Sequence, residues 1–393
     1  MTAPKVSVLL LTYNHAPYVR QSLESVLAQE TTFPYEVVVC DDASSDGTRE
    51  IAGEIAARYP DRVVLSMRET HDGMEGTIEN FARSLGKCRG EYVATIDGDD
   101  YWTDPSKLQR QADLLDARPA CVMCFHNCMV EYDDATRAPW ELCSLEGRDN
   151  LTTEDLLESG VVQTSTMMMR RAFFAGIDAP PELMGDWYTS LLASLEAPVG
   201  YVDRVMSVYR QHTSGVWSPM SRGDQWADCV AFYDEVRGRL PARFGEQIDR
   251  LVCARSYLAA REYERAGDLV AAQRHDERAA RGRLSDGEWE ALDALVRGRA
   301  GSIEALPNPA PSSARTPGLT SVELRWTSSA ESVEVRLGAP DGRLVSRTSG
   351  DGETKTGEWV TDGMLFYLQD VSGGRPLTIA NTLGVARVRV RER

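Results

Sequence analysis

The run Ala94–Trp102, ATIDGDDYW, brings three carboxylates, Asp97, Asp99 and Asp100, to the end of an apolar, strand-like segment, with Gly98 between them. Clustered carboxylates at a strand end offer oxygen ligands to a hard divalent cation, which can in turn bridge to a phosphate. A merely solvated acidic turn has the same letters, so the reading depends on what else converges there. Two more apolar runs end in polar residues: VSVLLL in Thr12, Tyr13 and Asn14, and EVVVC in Asp41 and Asp42. Asp186 in LMGDWYTSLL opens an apolar helical run, and VMSVYRQH closes a strand on Arg210 and His212. Each has a structural alternative. Asp41 and Asp42 can cap the turn into a helix starting at Asp46, Asp186 can cap Trp187–Ser194, and a lone histidine is often incidental.

The elements that must position these groups alternate. Continuous apolar strands are expected at Lys5–Leu11, Glu36–Cys40, Arg62–Ser66 and Tyr92–Asp97. Helices with one apolar face fall between them at Pro17–Gln29, Asp46–Tyr59 and Gly76–Leu85. Asp104 as N-cap and Pro105 at the first position then start another helix. Strands alternating with helices imply an α/β fold with a mostly parallel, Rossmann-like sheet, whose ligands bind beyond the C-terminal strand ends. That edge is where the polar tips lie. From about Asp224 to Arg299 the pattern is helical and charged, and SYLAAREYERAGDLVAAQRHDERAAR resembles one tetratricopeptide-type helix pair turning at Gly267 and Asp268. The Pro/Ser-rich ALPNPAPSSARTPG reads as a linker, and short alternating segments after it as a small antiparallel β-sandwich. The expected domains are 1–222 (catalytic), 223–300 (helical), 301–317 (linker) and 318–393 (sandwich).

With 43 Lys plus Arg against 60 Asp plus Glu, the net charge is −17. That balance disfavours nucleic acid, anionic membranes and polyanionic acceptors as main partners. No apolar run reaches the length of a spanning helix, and the N-terminus reads as a first strand rather than a signal peptide. The eight cysteines sit mostly in apolar surroundings, which suits reduced thiols in a cytoplasm. In CVMCFHNCMV, Cys121, Cys124, His126 and Cys128 have metal-ligand chemistry, yet the segment alternates as a core strand and no second Cys/His pair completes a zinc pattern.

VSVLLLTYNHAPYVRQSLESVLAQ, EVVVCDDASSDGTREI and GEYVATIDGDDYWTDPSKLQRQADLL together resemble glycosyltransferase family 2, over roughly residues 5–216 and in the family's order. The resemblance implies a GT-A fold and an inverting, metal-dependent transfer from a nucleotide-sugar donor, UDP-linked by expectation, to a glycan, peptide or small-molecule acceptor. By position, Thr12, Tyr13, Asn14, Asp41, Asp42, Asp97, Gly98 and Arg210 would meet the donor. Asp99, Asp100 and His212 would hold Mn²⁺ or Mg²⁺, and Asp186 would be the catalytic base, with Gly185 standing where the family has Glu. Trp102, His126, Trp187 and Trp217 are candidates for the sugar or acceptor. Gln211–Gly223, mixing Ser, Gly and Pro around Trp217, is expected to act as a lid. TGEWVTDGMLFYLQD resembles bacterial immunoglobulin-like modules, implying assembly into a homo-oligomer or docking of the acceptor. A nucleotidyltransferase or an inactive nucleotide-sugar-binding protein would share the strand-tip carboxylates. The first of these usually has a Gly-rich basic loop after strand one, where this chain has TYNHAPYV.

Overall fold

The computed structural model describes residues 3–133, 139–143, 145, 147–176 and 185–280 and, beyond them, 284–285, 288–289, 292, 301–306, 308, 310–311, 319–328, 330, 332–338, 343–361, 364–371, 382–388 and 390–391. The chain divides into two units, Met1–Ala259 and Ala260–Arg393.

The first unit opens with β1 Val6–Thr12, α1 Val19–Leu27, β2 Tyr35–Asp41, α2 Thr48–Arg58, β3 Val63–Met67, α3 Gly73–Leu85 and β4 Tyr92–Asp97. The four strands are parallel, in the order β3-β2-β1-β4. Their apolar runs divide by parity, as side chains alternating across a sheet must. Val6, Val8, Leu10, Val37, Val39, Ala94 and Ile96 pack with Val19, Leu23 and Val26 of α1 and Ile55 of α2. Leu9, Val38, Cys40 and Val93 pack instead with Phe81 and Leu85 of α3. Both faces are covered, which is why the strands are apolar throughout and only their ends can be polar.

β5 Tyr101–Trp102, α4 Lys107–Ala117, β6 Met123–Tyr132, β7 Trp140–Glu141, β8 Asn150–Leu151, α5 Thr153–Glu158, β9 Met168–Arg170, α6 Gly185–Glu196, β10 Val199–Gln211 and α7 Arg222–Arg237 follow. β9 runs antiparallel to both β4 and β6 and joins the first four strands to the parallel pair β6–β10. The sheet order is β3-β2-β1-β4-β9-β6-β10-β5, with β7 on β6 and β8 on β10. The result is a mixed α/β unit with a largely parallel central sheet. α4 starts later than its sequence suggests. Asp104 accepts the Ser106 N–H at 2.9 Å in a turn of its own, and the helix begins at Lys107. Of the Cys121–Cys128 segment, Met123 onward is the core strand β6, and its cysteines are free and buried.

The unit also runs past the boundary expected at residue 222. Phe232, Tyr233 and Val236 of α7 share one core with Met123, Phe125, Leu156, Trp187 and Leu191. An apolar helix face with that many partners cannot be a separate segment.

In the second unit, α8 Gly245–Ala266, which begins before the boundary, and α9 Leu269–Ala279 turn at Gly267 (φ 83°). Asp268 caps α9 by accepting the Ala271 N–H at 3.0 Å. Then come β11 Gly301–Leu306, β12 Ala310–Pro311, β13 Glu323–Ser328, β14 Val333–Leu337, β15 Arg343–Thr348, β16 Gly352–Lys355, β17 Leu365–Asp370, β18 Thr382–Arg387 and β19 Val390–Arg391. Two small antiparallel sheets, β11-β13-β16 and β15-β14-β17-β18, contribute to one core that includes Ile303, Leu324, Trp326, Val335, Phe366 and Leu368. The expected linker is therefore partly a strand. Ile303 and Ala305 alternate into this core, and Gly301–Leu306 pairs along all of β13. Residues 312–318 of that segment lie outside the described residues.

Candidate active site

The C-terminal ends of β1, β2 and β4 are adjacent, so Thr12, Asp41 and Asp97 share one edge. The loop after β1 is tied to the loop after β2. Asn14 takes a left-handed conformation (φ 55°), which Asn tolerates better than most side chains. Its N–H donates to Ser44 Oγ at 2.9 Å, and its Oδ1 accepts the Ser45 N–H at 2.9 Å. The His15 N–H reaches Thr48 Oγ1 at 2.8 Å. Gly98 packs against this loop so closely that a Cβ there would stand 2.7 Å from Thr12 Oγ1 and 2.9 Å from His15 Nδ1. That contact explains a glycine between two aspartates.

Asp41 and Asp42 differ in role. Asp41 is fully buried, accepts the Ser44 N–H at 3.1 Å and lies 3.6 Å from Arg49, so it holds the turn, while its Oδ2 has no hydrogen-bond partner among the described residues. Burial raises its carboxyl above the usual range. Asp42 instead accepts from His71 Nδ1 at 2.9 Å and pairs with Arg68 at 3.6 Å. The His71 ring lies flat on Tyr13, 4.0 Å between centroids with 13° between planes, and Tyr13 is 40% exposed.

Around β4 the carboxylates crowd. Asp99 Oδ2 is 3.0 Å from His212 Nε2 and 3.4 Å from His15 Nε2. Burial pushes Asp99 up, but the His212 hydrogen bond and the two imidazoles outweigh it and hold the carboxyl below its ordinary value. Asp100 is buried, accepts the Arg210 backbone N–H at 2.9 Å through Oδ1, and its Oδ2 has no hydrogen-bond partner among the described residues. Burial, then Asp99 and Asp97, push Asp100 well up. Asp97 is pushed well up by burial, then by Asp99 and Asp186. Asp186, in the first turn of α6, accepts the Trp187 N–H at 2.7 Å and the Thr164 hydroxyl at 3.4 Å, and burial raises it too. Three inward carboxylates whose protons are hard to remove describe a site short of positive charge.

The donor set suits a divalent cation of the Mn²⁺ or Mg²⁺ kind. It comprises carboxylate oxygens, imidazoles in contact with one of them, and an orphaned buried oxygen on Asp100. Among the described residues, no three His, Cys, Asp or Glu side chains already stand in a cation-binding geometry.

Several expected residues are placed elsewhere. The Arg210 guanidinium is held by the Asp99 carbonyl, by Gln21 at 2.8 Å and by Asp133 at 3.3 Å, and it packs against the rings of Tyr18 and Tyr101. It braces the site and does not open onto it. Trp102 is buried, donates to the Ser165 carbonyl at 2.9 Å and carries Lys107 Nζ 3.8 Å over its ring. Trp187 is stacked on Phe232 at 4.5 Å in the core and donates to the Leu156 carbonyl at 2.6 Å. His126 is buried, with Nδ1 2.7 Å from the Asn127 carbonyl, and burial takes its pKa down to about 3. None of these three presents a surface to a sugar. Trp217 is half-buried against the core around α6 and α7.

The sequence reading missed His15, Tyr18, His71 and Tyr209. Tyr18 donates to Asp133 at 2.5 Å, and burial with that bond pushes its hydroxyl up to about 12. Tyr209 is raised by burial and by the charges of Asp100, Asp186, Asp99 and Asp97. One signal was available. The chain has only five histidines, and three of them, His15, His71 and His212, lie on this edge.

Residues 7–176, from β1 through β9, match the family model for glycosyl transferase family 2. This stretch is similar to glycosyltransferase family 2 domains. An uncharacterized protein of Mycobacterium tuberculosis is 38% identical over 213 residues, covering 54% of this chain and 60% of its own length. The chain thus spans about 60% of the length of that curated relative. EpsE of Bacillus subtilis, designated a glycosyltransferase, is 36% identical over 115 residues, 29% of this chain and 40% of its own. Among solved structures, the mannosyltransferase PcManGT of Pyrobaculum calidifontis, in complex with GDP-Man and Mn²⁺, is similar in fold. Its TM-score is 0.50 at 21% identity, covering 76% of this chain and 86% of that one. The glycosyltransferase domain match includes Asp97, Asp99 and Asp100 but ends before Asp186 and His212.

Proposed function

We propose that this protein is a metal-dependent, inverting glycosyltransferase that uses a nucleoside-diphosphate sugar. One observation carries the reading. The Asp99 carboxylate is held between two imidazoles at the C-terminal edge of the parallel strands, with Asp97, Asp100 and Asp186 crowding in. Asp99 and His212, with Asp100 or His15 beside them, would hold Mn²⁺ or Mg²⁺, which when bound would offset the charge gathering on the leaving diphosphate. The Asp99–His212 contact favours Asp99 over Asp100 as the direct ligand. The Mn²⁺ in the PcManGT complex is consistent with this, and its GDP-Man leaves the base of the present donor open alongside the UDP expected from the sequence.

The chain's own residues supply the rest. Tyr13 offers an exposed ring to the base and Asp42 an in-plane acceptor beside it. Asp186 accepts the proton of the acceptor hydroxyl, a role its raised pKa suits because the protonated form is then easily reached. A single displacement inverts the anomeric centre. No helix among the described residues is long and apolar enough to cross a membrane, and all eight cysteines are free and buried. Both support the cytoplasmic reading. The C-terminal sheets are read as an immunoglobulin-like module for assembly or acceptor docking.

The test is release of nucleoside diphosphate from a panel of UDP- and GDP-sugars by the full chain, with Mn²⁺ or with EDTA. Metal-dependent release that Asp99→Asn abolishes supports the reading. Turnover unchanged in EDTA would falsify it.

A further inference from the structure

Trp140 is an exposed indole (45%) on the two-residue strand β7. Its place in the sheet is defined by register. Trp140 pairs with Val130 of β6, and Val130 pairs in turn with Tyr209 of β10. Directly paired residues project to the same face. The face that carries Tyr209 at this end of the sheet therefore continues through buried Val130 to the Trp140 ring. Tyr132, two residues on from Val130 and so on the same face, takes the indole N–H at 3.4 Å and fixes the ring's rim. The alternate residues Glu131 and Asp133 lie on the opposite face, with Arg210, Tyr18 and Tyr101. Neighbouring strands are about 4.8 Å apart, which puts Trp140 roughly 10 Å from Tyr209 across the sheet, a distance that linked sugar rings cover.

We infer that Trp140 is the floor of an acceptor subsite, on which a neutral sugar ring of an oligosaccharide acceptor stacks beyond the reacting residue. The inference rests on the glycosyltransferase reading and names its acceptor class as carbohydrate. An indole has an apolar face for the C–H face of a pyranose, and here its polar rim is already tethered. Tyr209, at the other end of the strip, feels the charges of Asp100, Asp186, Asp99 and Asp97, among them the residue proposed to meet the acceptor hydroxyl. The net charge of −17 weighs against uronate or phosphate-bearing rings.

The full chain, with UDP and Mn²⁺ present, is applied to an array of neutral hexose, N-acetylhexosamine and uronate-containing oligosaccharides. Wild type should bind neutral members. Trp140→Ala should lose about tenfold in apparent affinity, a stacking contact's worth, and Trp140→Phe should recover most of it. An unchanged melting temperature for Trp140→Ala shows that the fold is intact. Equal binding by wild type and Trp140→Ala, or wild-type binding confined to uronates, overturns the subsite. The donor-hydrolysis assay on wild type separates the two readings. Hydrolysis without Trp140-dependent glycan binding overturns the subsite alone. Glycan binding that Trp140→Ala loses, with no hydrolysis of any donor, upholds Trp140 as a glycan-stacking site but overturns the transferase and with it the acceptor role.

Discussion

At the scale of single residues, Asp186 has both a structural and a chemical post. Its 2.7 Å bond to the Trp187 N–H needs only an acceptor oxygen, which an asparagine also has. Taking a proton needs the carboxylate. Asp186→Asn should therefore keep the melting temperature close to wild type and lower transfer by roughly 10²–10⁴-fold, measured as initial rates at saturating donor. An unchanged rate would make Asp186 a cap and nothing more. The crowded carboxylates also set a pH dependence. Asp97, Asp100 and Asp186 bind protons more tightly in the fold than unfolded. The stability they contribute is whole below the unfolded carboxylate pKa of about 4 and is lost as pH rises through their folded values. Asp99, lowered, works the other way, its contribution being lost as pH falls through its folded value. A divalent cation competes with the protons on the raised groups. The gain in melting temperature on adding Mn²⁺ should grow between about pH 5 and pH 8, read by differential scanning fluorimetry. A gain independent of pH would mean that these carboxylates do not meet the ion.

At the scale of elements, the seam between α4 and β6 holds an amine in an unusual place. Lys107 is fully buried, and its Nζ has no hydrogen-bond partner among the described residues, only the Trp102 ring 3.8 Å away. A desolvated ring contact is worth about 2 kcal/mol, whereas an unpaired buried ammonium costs far more. Burial wins and drives the pKa of the amine well down. Such a base subtracts stability at every pH below its unfolded value of about 10.4 and returns it as pH rises toward that value. Lys107→Met should raise the melting temperature by a few degrees, at ~2–4 °C per kcal/mol for a unit of this size. A fall would reveal a buried partner for the amine. The same seam shows what sequence alone could tell. β1, β2 and β4 were legible because strands covered on both faces are continuously apolar, and the site edge followed from their polar ends. β9 was not, since three residues, Met168–Arg170, carry no period. β11 was hidden beside a Pro/Ser-rich tail, although Ile303 and Ala305 alternate. Trp102 and Trp187 were misjudged because following an acidic residue closely says nothing of where a ring points. Trp187 turns to Phe232 of α7, a partner distant in sequence. His15 and Tyr209 required the long-range pairing that brings β10 to the edge defined by β4.

At the scale of the molecule, the candidate catalytic groups all lie in the first unit, and the two C-terminal sheets close around a core of their own. A chain ending at Arg299 keeps the cores of the first unit and lacks the sheets. It should be soluble and keep metal-dependent donor hydrolysis within about twofold, since no proposed catalytic contact is removed. Loss of that hydrolysis in a chain that still melts cooperatively would tie the sheets to the chemistry.

The flat stack of His71 on Tyr13 has a consequence for how a donor arrives. An imidazole on an aromatic face, hydrogen-bonded in its own plane to Asp42, is itself shaped like a small base in its seat. A nucleotide then binds by exchange and not by addition, and its measured affinity is the intrinsic one multiplied by the fraction of molecules whose ring has swung away. A preference of only 1.4 kcal/mol for the occupied seat hides about a tenfold tighter site. His71→Ala should uncover that difference in a calorimetric titration with UDP and Mn²⁺, as a lower Kd; a raised Kd would make His71 a second wall of the base pocket and not its tenant.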